Sequence, residues 1–241
     1  MSELYNQEVS KHYGAYRPPI HEKILHQVFA DFNRFEVGLD VGCGTGVSTV
    51  PLSQFCQVVY GVEPSEAMLA QAQQRDNIHY SLGTGEALPF ADSAIDVVTF
   101  AGSLFYAKSD ALVKELARVC CDDALIVVYD FDVLMGDYMQ LLGIDLKVSA
   151  EHYDHAINFD DYDQFDVVSS GKNLLAIEVS SRQLAHVLFS STKRLVPLMA
   201  RFGGENSFET VVAMLDEISV QHQLMAETYV SVYRLPKLPQ E

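Results

Sequence analysis

The stretch Gly38-Leu39-Asp40-Val41-Gly42-Cys43-Gly44-Thr45-Gly46 constrains this chain more than any other. An apolar run from Phe35 to Val41 carries a carboxylate at Asp40. Three glycines follow at alternate positions, and Val47-Ser48-Thr49-Val50 begins a helical pattern. A strand that passes through a glycine turn into a helix is a nucleotide-binding arrangement. Residues without a Cβ let the backbone turn sharply and approach a ligand closely. The spacing is GxGxG, so the third glycine falls one residue earlier than in the dinucleotide pattern GxGxxG. Asp40 stands two residues before the first glycine. A carboxylate there repels a pyrophosphate and attracts a ligand carrying an ammonium and a sulfonium. This disfavours a nicotinamide-dependent oxidoreductase. The plainer alternative is a tight turn after a buried strand.

The segment Asp40-Val41-Gly42-Cys43-Gly44-Thr45-Gly46 resembles the first motif of class I S-adenosylmethionine-dependent methyltransferases, in particular the small-molecule type 11/25-like branch. The resemblance places Asp40, Gly42, Cys43, Gly44 and Gly46 at the cofactor. Further along, Gln57 to Glu63 reads as a second strand ending in an acid, followed by Pro64, by Ser65 as an N-cap and by a helix from Glu66 to Arg75. Glu63 lies about 20 residues beyond the first glycine, the distance expected of an acid that accepts from ribose hydroxyls. Its carboxylate can take two such bonds at once. A surface acid is the alternative. Pro64 and Met68 belong to the same cofactor set, with Met68 placed to pack on an adenine face.

Ile78 to Leu82 reads as a third strand. Gly83-Thr84-Gly85-Glu86-Ala87-Leu88-Pro89-Phe90 then resembles the family's adenine loop. That loop usually carries an acid beside the adenine amino group, where this chain has Thr84, a weaker acceptor. Gly85 and Glu86 are the adenine-side candidates, with a buried structural acid bonding loop backbone as the other reading of Glu86. Ile95 to Phe100 is apolar enough for a strand buried on both faces. It leads to Ala101-Gly102-Ser103, small residues with room for the methionine part of the cofactor, and to Phe105 and Tyr106, either acceptor-site walls or a plain helix start. Ser109 caps a helix to Val119 with Leu112, Val113 and Leu116 inward. Asp122-Asp123 form a turn, and Ala124 to Tyr129 is a fifth strand whose Tyr129 is a candidate hydroxyl near the acceptor.

Upstream, Gly14 and Pro18-Pro19 argue against a long helix. The sequence Tyr13-Gly-Ala-Tyr16-Arg17-Pro-Pro reads either as a packed arm or as a flap over the cofactor. It resembles the N-terminal segment that covers the cofactor in a branch of small-molecule methyltransferases, which implies that Arg17 meets a carboxylate and Tyr13 closes the site. Ile20, Ile24, Leu25, Val28 and Phe32 form a helical core stripe, with His21 and His26 off it and facing solvent. A helix over 46–56 follows the glycine turn. Beyond residue 130, His152, Asp154, His155, Asp160, Asp161, Asp163 and Asp166 make an acidic loop without the spacing of a metal site, and no metal is expected. A strand over 174–180, a helix over 182–201 broken near Pro197, a helix capped by Ser207 and running to His222, and an edge strand over 227–234 complete the chain.

The resemblance implies an α/β fold: a Rossmann-like, doubly wound, seven-stranded sheet, mostly parallel with the last strand antiparallel, under a helical cap. One domain spans 1–241, with a cofactor core over 13–130 and an acceptor-side cap over 131–222. It implies methyl transfer from S-adenosyl-L-methionine to a small-molecule acceptor. A protein of this fold that binds the cofactor without transfer is the second reading. No catalytic residue declares itself. The net charge of −17 disfavours nucleic acid as a partner. No run is long enough to span a membrane. A polar N-terminus and four cysteines without bridging or zinc spacing fit a cytoplasmic protein. The sequence does not name the oligomeric state.

Overall fold

In the computed structural model residues 2–146 and 153–236 are described, so His152 of the acidic loop lies outside them. Seven strands, β1 Phe35–Val41, β2 Cys56–Glu63, β3 Ile78–Leu82, β4 Ile95–Ala101, β5 Cys120–Val133, β6 Asp166–Ser180 and β7 Gln221–Arg234, form one sheet in the order β3-β2-β1-β4-β5-β7-β6. The pairs β2–β1, β1–β4, β3–β2 and β4–β5 are parallel. β7 runs antiparallel to β5: Asp123 N–H donates to Leu235 O and Leu235 N–H donates to Ala124 O. From β1 the chain winds outward to β2 and β3, then returns to lay β4 and β5 on the other side. The switch point therefore falls between β1 and β4, where ligands enter sheets of this kind.

The helices are α1 Ser2–Ala15, α2 Ile20–Val28, α3 Thr49–Leu52, α4 Glu66–Leu69, α5 Leu104–Ala107, α6 Asp110–Val119, α7 Gly136–Leu141, α8 Ser181–Phe189, α9 Thr192–Phe202 and α10 Ser207–Ile218. None is long and apolar enough to cross a membrane among the described residues. Several differ from the sequence reading. α1 runs through Gly14 and stops at Ala15, ahead of Pro18, so the prolines act as the terminator and the glycine does not. The helix after the glycine turn has only four residues: Gly46 holds a φ of +80° ahead of it, and after Leu52 the chain turns to enter β2 at Cys56. α4 ends at Leu69 and not at Arg75. The chain leaves the helix so that Gln73 N–H can reach Thr45 O at 3.2 Å and Tyr80 OH can reach Gln73 O at 3.0 Å. Pro197 sits inside α9 without breaking it, and the interruption comes at Ser190-Ser191. Ser207 begins α10 and Asn206 holds the cap position. β5, β6 and β7 are each longer than the 124–129, 174–180 and 227–234 read from sequence.

The chain divides into two compact units. One comprises Ile20–Phe131, Tyr153–Asn173 and Thr228–Glu241 and holds at least part of every strand. Its core is Leu39, Val41, Val98, Phe100, Ile126 and Val128 from the central strands, with Leu112, Val113 and Leu116 of α6 laid against them. Near-continuous apolar strands of this kind are those of a sheet covered on both faces. The four cysteines are free thiols. Cys43, Cys56 and Cys120 are buried and Cys121 is partly so. Burial pushes the Cys56 and Cys120 thiols up to about 12. Burial and the neighbouring Asp96, to which Cys121 donates, push Cys121 up to about 11.

The other unit comprises Met1–Pro19, Asp132–His152 and Leu174–Glu227. Ser180 caps α8 in a full capping box with Gln183. His12 of α1 is buried against α8 and α10. It stacks on Phe208 with ring centres 4.7 Å apart and sets its Nδ1 2.9 Å from His186 Nδ1. One of those nitrogens must donate and the other accept. Burial, then the charge His186 would carry, lowers His12 to about 4.

Candidate functional site

At the carboxyl edge of the sheet, on the switch point, lies a cavity of about 550 Å³. The glycine turn forms one wall. Gly42, Gly44 and Gly46 take φ of +72°, +54° and +80°, a region that side chains strain to enter. A Cβ on Gly42 would fall 2.5 Å from Ser103 Cβ, and one on Gly46 would fall 2.1 Å from Tyr80 Oη. At Gly44 the nearest atom to an added Cβ is Met68 Sδ, 3.7 Å away on another lining residue. The alternate glycines thus serve different ends: two fit the turn against its neighbours, and the middle one keeps the wall of the cavity flat.

Glu63 ends β2 at the same wall. Its Oε2 accepts from Gly44 N–H and its Oε1 from Ser65 N–H, both at 3.0 Å. Each oxygen keeps a further lone pair for a ligand hydroxyl. Ser65 caps α4 through Met68 N–H, which sets Met68, 47% exposed, on the cavity. The opposite wall is the loop Gly83-Thr84-Gly85-Glu86, with Ala101, Gly102 and Ser103 at the end of β4. One oxygen of Glu86 takes the hydroxyl of Ser109, the α6 cap. Glu86 is exposed, so it is not the buried acid of the other sequence reading; it lines the cavity with a cap hydroxyl as its partner in place of loop backbone.

Of the residues singled out by sequence, Gly42, Gly44, Glu63, Pro64, Met68, Gly85, Glu86 and Ala101 line this one cavity. Asp40, Cys43 and Gly46 lie behind it. Asp40 is wholly buried: Oδ2 accepts from Ser48 Oγ at 2.6 Å and Thr49 Oγ1 at 2.7 Å, and Oδ1 from Thr99 Oγ1 at 2.9 Å. Burial raises its carboxyl above the ordinary range, against the pull of the three hydroxyls. Its charge therefore reaches a ligand as a field and not as a contact. Tyr13 and Arg17 belong to the other unit. The Arg17 guanidinium stacks 3.9 Å over the Tyr13 ring, and its Nη1 is buried without a hydrogen-bond partner among the described residues.

The structure corrects two sequence readings. His21 turns inward, with Nδ1 3.1 Å from the Tyr129 hydroxyl. Tyr129 itself is fully buried, and burial raises its hydroxyl well above its ordinary value. The next residue, Asp130, carries a polar cluster that sequence reasoning misses. Its Oδ2 lies 2.8 Å from Tyr153 Oη and 2.9 Å from His155 Nδ1, and Tyr153 Oη also lies 2.9 Å from Gly102 O. No local motif signals this. Only the alternation of β5 past Tyr129 could have. The acidic loop holds no group of three residues suited to a metal among the described residues. Asp160 takes the Tyr233 hydroxyl and Asp161 pairs with Lys108.

A sequence profile described as "Methyltransferase domain" matches residues 39–128, which carry both cavity walls. The chain is 32% identical over 100 residues to YcgJ of Bacillus subtilis, an uncharacterized methyltransferase, covering 38% of this chain and 39% of that protein. It is 35% identical over 94 residues to the demethylmenaquinone methyltransferase of Corynebacterium kroppenstedtii, covering 39% and 41%. The matches thus span less than half the length of these relatives. Among solved structures, a candidate type II methyltransferase from Anaeromyxobacter dehalogenans aligns over 92% of this chain and 100% of its own, with a TM-score of 0.65 at 18% identity, which speaks for the fold. The glycine turn, the acid of β2 and the strand order agree with these likenesses, and residues 39–128 carry a methyltransferase domain similar to that of the class I S-adenosylmethionine-dependent enzymes.

Proposed function

We propose that the protein transfers a methyl group from S-adenosylmethionine to a small-molecule acceptor. The observation that carries this is the convergence of the glycine turn, Glu63 and the 83–86 loop on one cavity at the switch point. The cavity suits the cofactor. It is walled by Glu63 with buried Asp40 behind, a negative environment for a sulfonium, and a side chain at Gly44 would intrude on it. When bound, the sulfonium supplies an activated methyl carbon to a nucleophile.

The chain's own residues bind and orient. Glu63 accepts from the ribose diol, Pro64 and Met68 pack on the adenine, and Gly85 with Glu86 meets its edge. Gly42 and Ala101 leave space for the methionine part. Cys43 and Gly46 act through the turn they shape. On the resemblance alone, Arg17 with Tyr13 is proposed as the partner of the cofactor's carboxylate. Residues 131–222 are proposed, on the resemblance alone, to shape the acceptor pocket, and the protein to act in the cytoplasm. A small acceptor accords with the demethylmenaquinone enzyme among the relatives and with a net charge of −17, unfavourable for nucleic acid.

Calorimetric titration with S-adenosylhomocysteine tests the reading. Glu63→Gln should weaken binding by roughly ten- to a hundredfold, the worth of hydrogen bonds to a charged group. Absence of binding to the wild-type protein would overturn it. The fold is shared with the [4+2]-cyclase SpnF, at a TM-score of 0.52 and 16% identity, so fold alone does not fix the chemistry. Tight binding without transfer to any acceptor would favour the second reading, a cofactor-binding protein that moves no methyl group.

A further inference from the structure

The cluster on Asp130 lies beside the cavity. Tyr153 Oη touches the carbonyl of Gly102, a lining residue, and a Cβ on Gly102 would meet Asp130 Oδ1 at 3.2 Å. Asp130 Oδ1 already takes Phe131 N–H at 2.7 Å, while Oδ2 faces both Tyr153 and His155. A carboxylate can only accept, so the His155 ring must carry its hydrogen on Nδ1. In the neutral ring this leaves the lone pair on Nε2, the tautomer a general base needs. The His155 side chain is about a third exposed, at 32%, and therefore reachable. Tyr153 is unsuited to act as a base, because burial, then Asp130, raises its hydroxyl, which stays protonated and donates.

Aromatic rings run on from the cavity mouth. Tyr106, a lining residue 78% exposed, lies 6.0 Å from Tyr153. Tyr153 meets His155 edge-on at 4.7 Å, and His155 stacks on Tyr229 at 5.7 Å. Tyr106 and Tyr153 are tilted 43° to one another and Tyr153 meets His155 at 72°, so the rings offer an aromatic ligand both face and edge contacts.

We propose that His155 is the general base for the acceptor, held in its tautomer by Asp130 as a positioning residue, and that the acceptor is an aromatic alcohol packed against Tyr106 and Tyr153. The inference rests on the methyl-transfer reading and names the acceptor class for it. The acceptor's O–H proton passes to His155 Nε2 as its oxygen bonds the methyl carbon. The carbon–sulfur bond breaks with its electron pair kept on sulfur, and the imidazolium beside Asp130 then returns its proton to water. Among the described residues Asp130, Tyr153 and Tyr229 face His155, with Lys172 5.2 Å over the Tyr229 ring.

The experiment uses the full chain, methyl-labelled S-adenosylmethionine and three probe acceptors: phenol, catechol and 2-naphthol. S-adenosylhomocysteine binding is measured alongside. His155→Gln is expected to lower kcat about 10²-fold on a methylated probe with S-adenosylhomocysteine affinity unchanged. Asp130→Asn removes the acceptor that holds the hydrogen on His155 Nδ1 and should lower kcat with KM unchanged, and Asp130→Glu should restore part of it, which a purely structural contact would not do. Binding of S-adenosylhomocysteine without methylation of any probe by the wild type would overturn the acceptor class. Unchanged turnover in His155→Gln and Asp130→Asn would overturn the base. Absence of S-adenosylhomocysteine binding in the wild type would instead be the failure of the methyl-transfer reading itself.

Discussion

At Gly46 the demand for glycine is both conformational and steric, since φ is +80° and the Tyr80 hydroxyl occupies the place of a Cβ. Gly46→Ala should lose at least about 1–3 kcal/mol of stability, read from the shift of a urea midpoint. Asp40 makes a different prediction. Its folded-state carboxyl is raised by burial, so the native state binds a proton more readily than the unfolded chain. The stability it contributes is full below the ordinary value of 3.8 and declines as pH rises through the raised value. Asp40→Asn should flatten unfolding free energy against pH across that window, whatever its constant offset. The position of Asp40 is legible in the glycine motif but its surroundings are not, because Thr99 stands 59 positions away. Tyr129 and Asp130 illustrate the same boundary. The apolar run ends at Tyr129, whereas the strand continues to Val133, and the alternation of faces puts Asp130 where a hydroxyl was expected.

Among the elements, β1, β4 and the start of α3 are pinned together by the hydroxyls on Asp40. Thr99→Val keeps the shape and leaves one carboxylate oxygen without its donor, at a cost of about 1–3 kcal/mol in denaturant unfolding. The strands are legible because their apolar runs, Phe35–Val41 and Ile95–Phe100, need no knowledge of distant partners. Sequence pattern overextends the helices after β1 and β2. Their ends answer to tertiary bonds such as Gln73 N–H to Thr45 O, which no window of sequence contains. The caps at Ser65 and Ser109 are local bonds to N–H groups three residues on, and both are readable.

For the molecule as a whole, a net charge of −17 sets carboxylates against one another. Added salt screens that repulsion, so the melting temperature should rise between low and moderate ionic strength, measured by calorimetry. Acid acts on the unit built from α1, α8, α9 and α10. His12 is lowered to about 4 in the fold, so its contribution is complete above about 6.5 and is lost as pH falls from there toward 4. His12→Phe should blunt the loss of stability across that interval, followed by denaturant unfolding at a series of pH values. The seven-stranded, mostly parallel sheet followed from the resemblance, whereas the His12–His186 pairing joins residues 174 positions apart and leaves no mark in the sequence. The buried cysteines give the native chain one more property. With no thiol both exposed and ionised at neutral pH, an alkylating reagent should label the folded protein slowly, at Cys121 first, and all four sites at once on global unfolding. The unlabelled protein thus carries its own stopwatch for how often it opens.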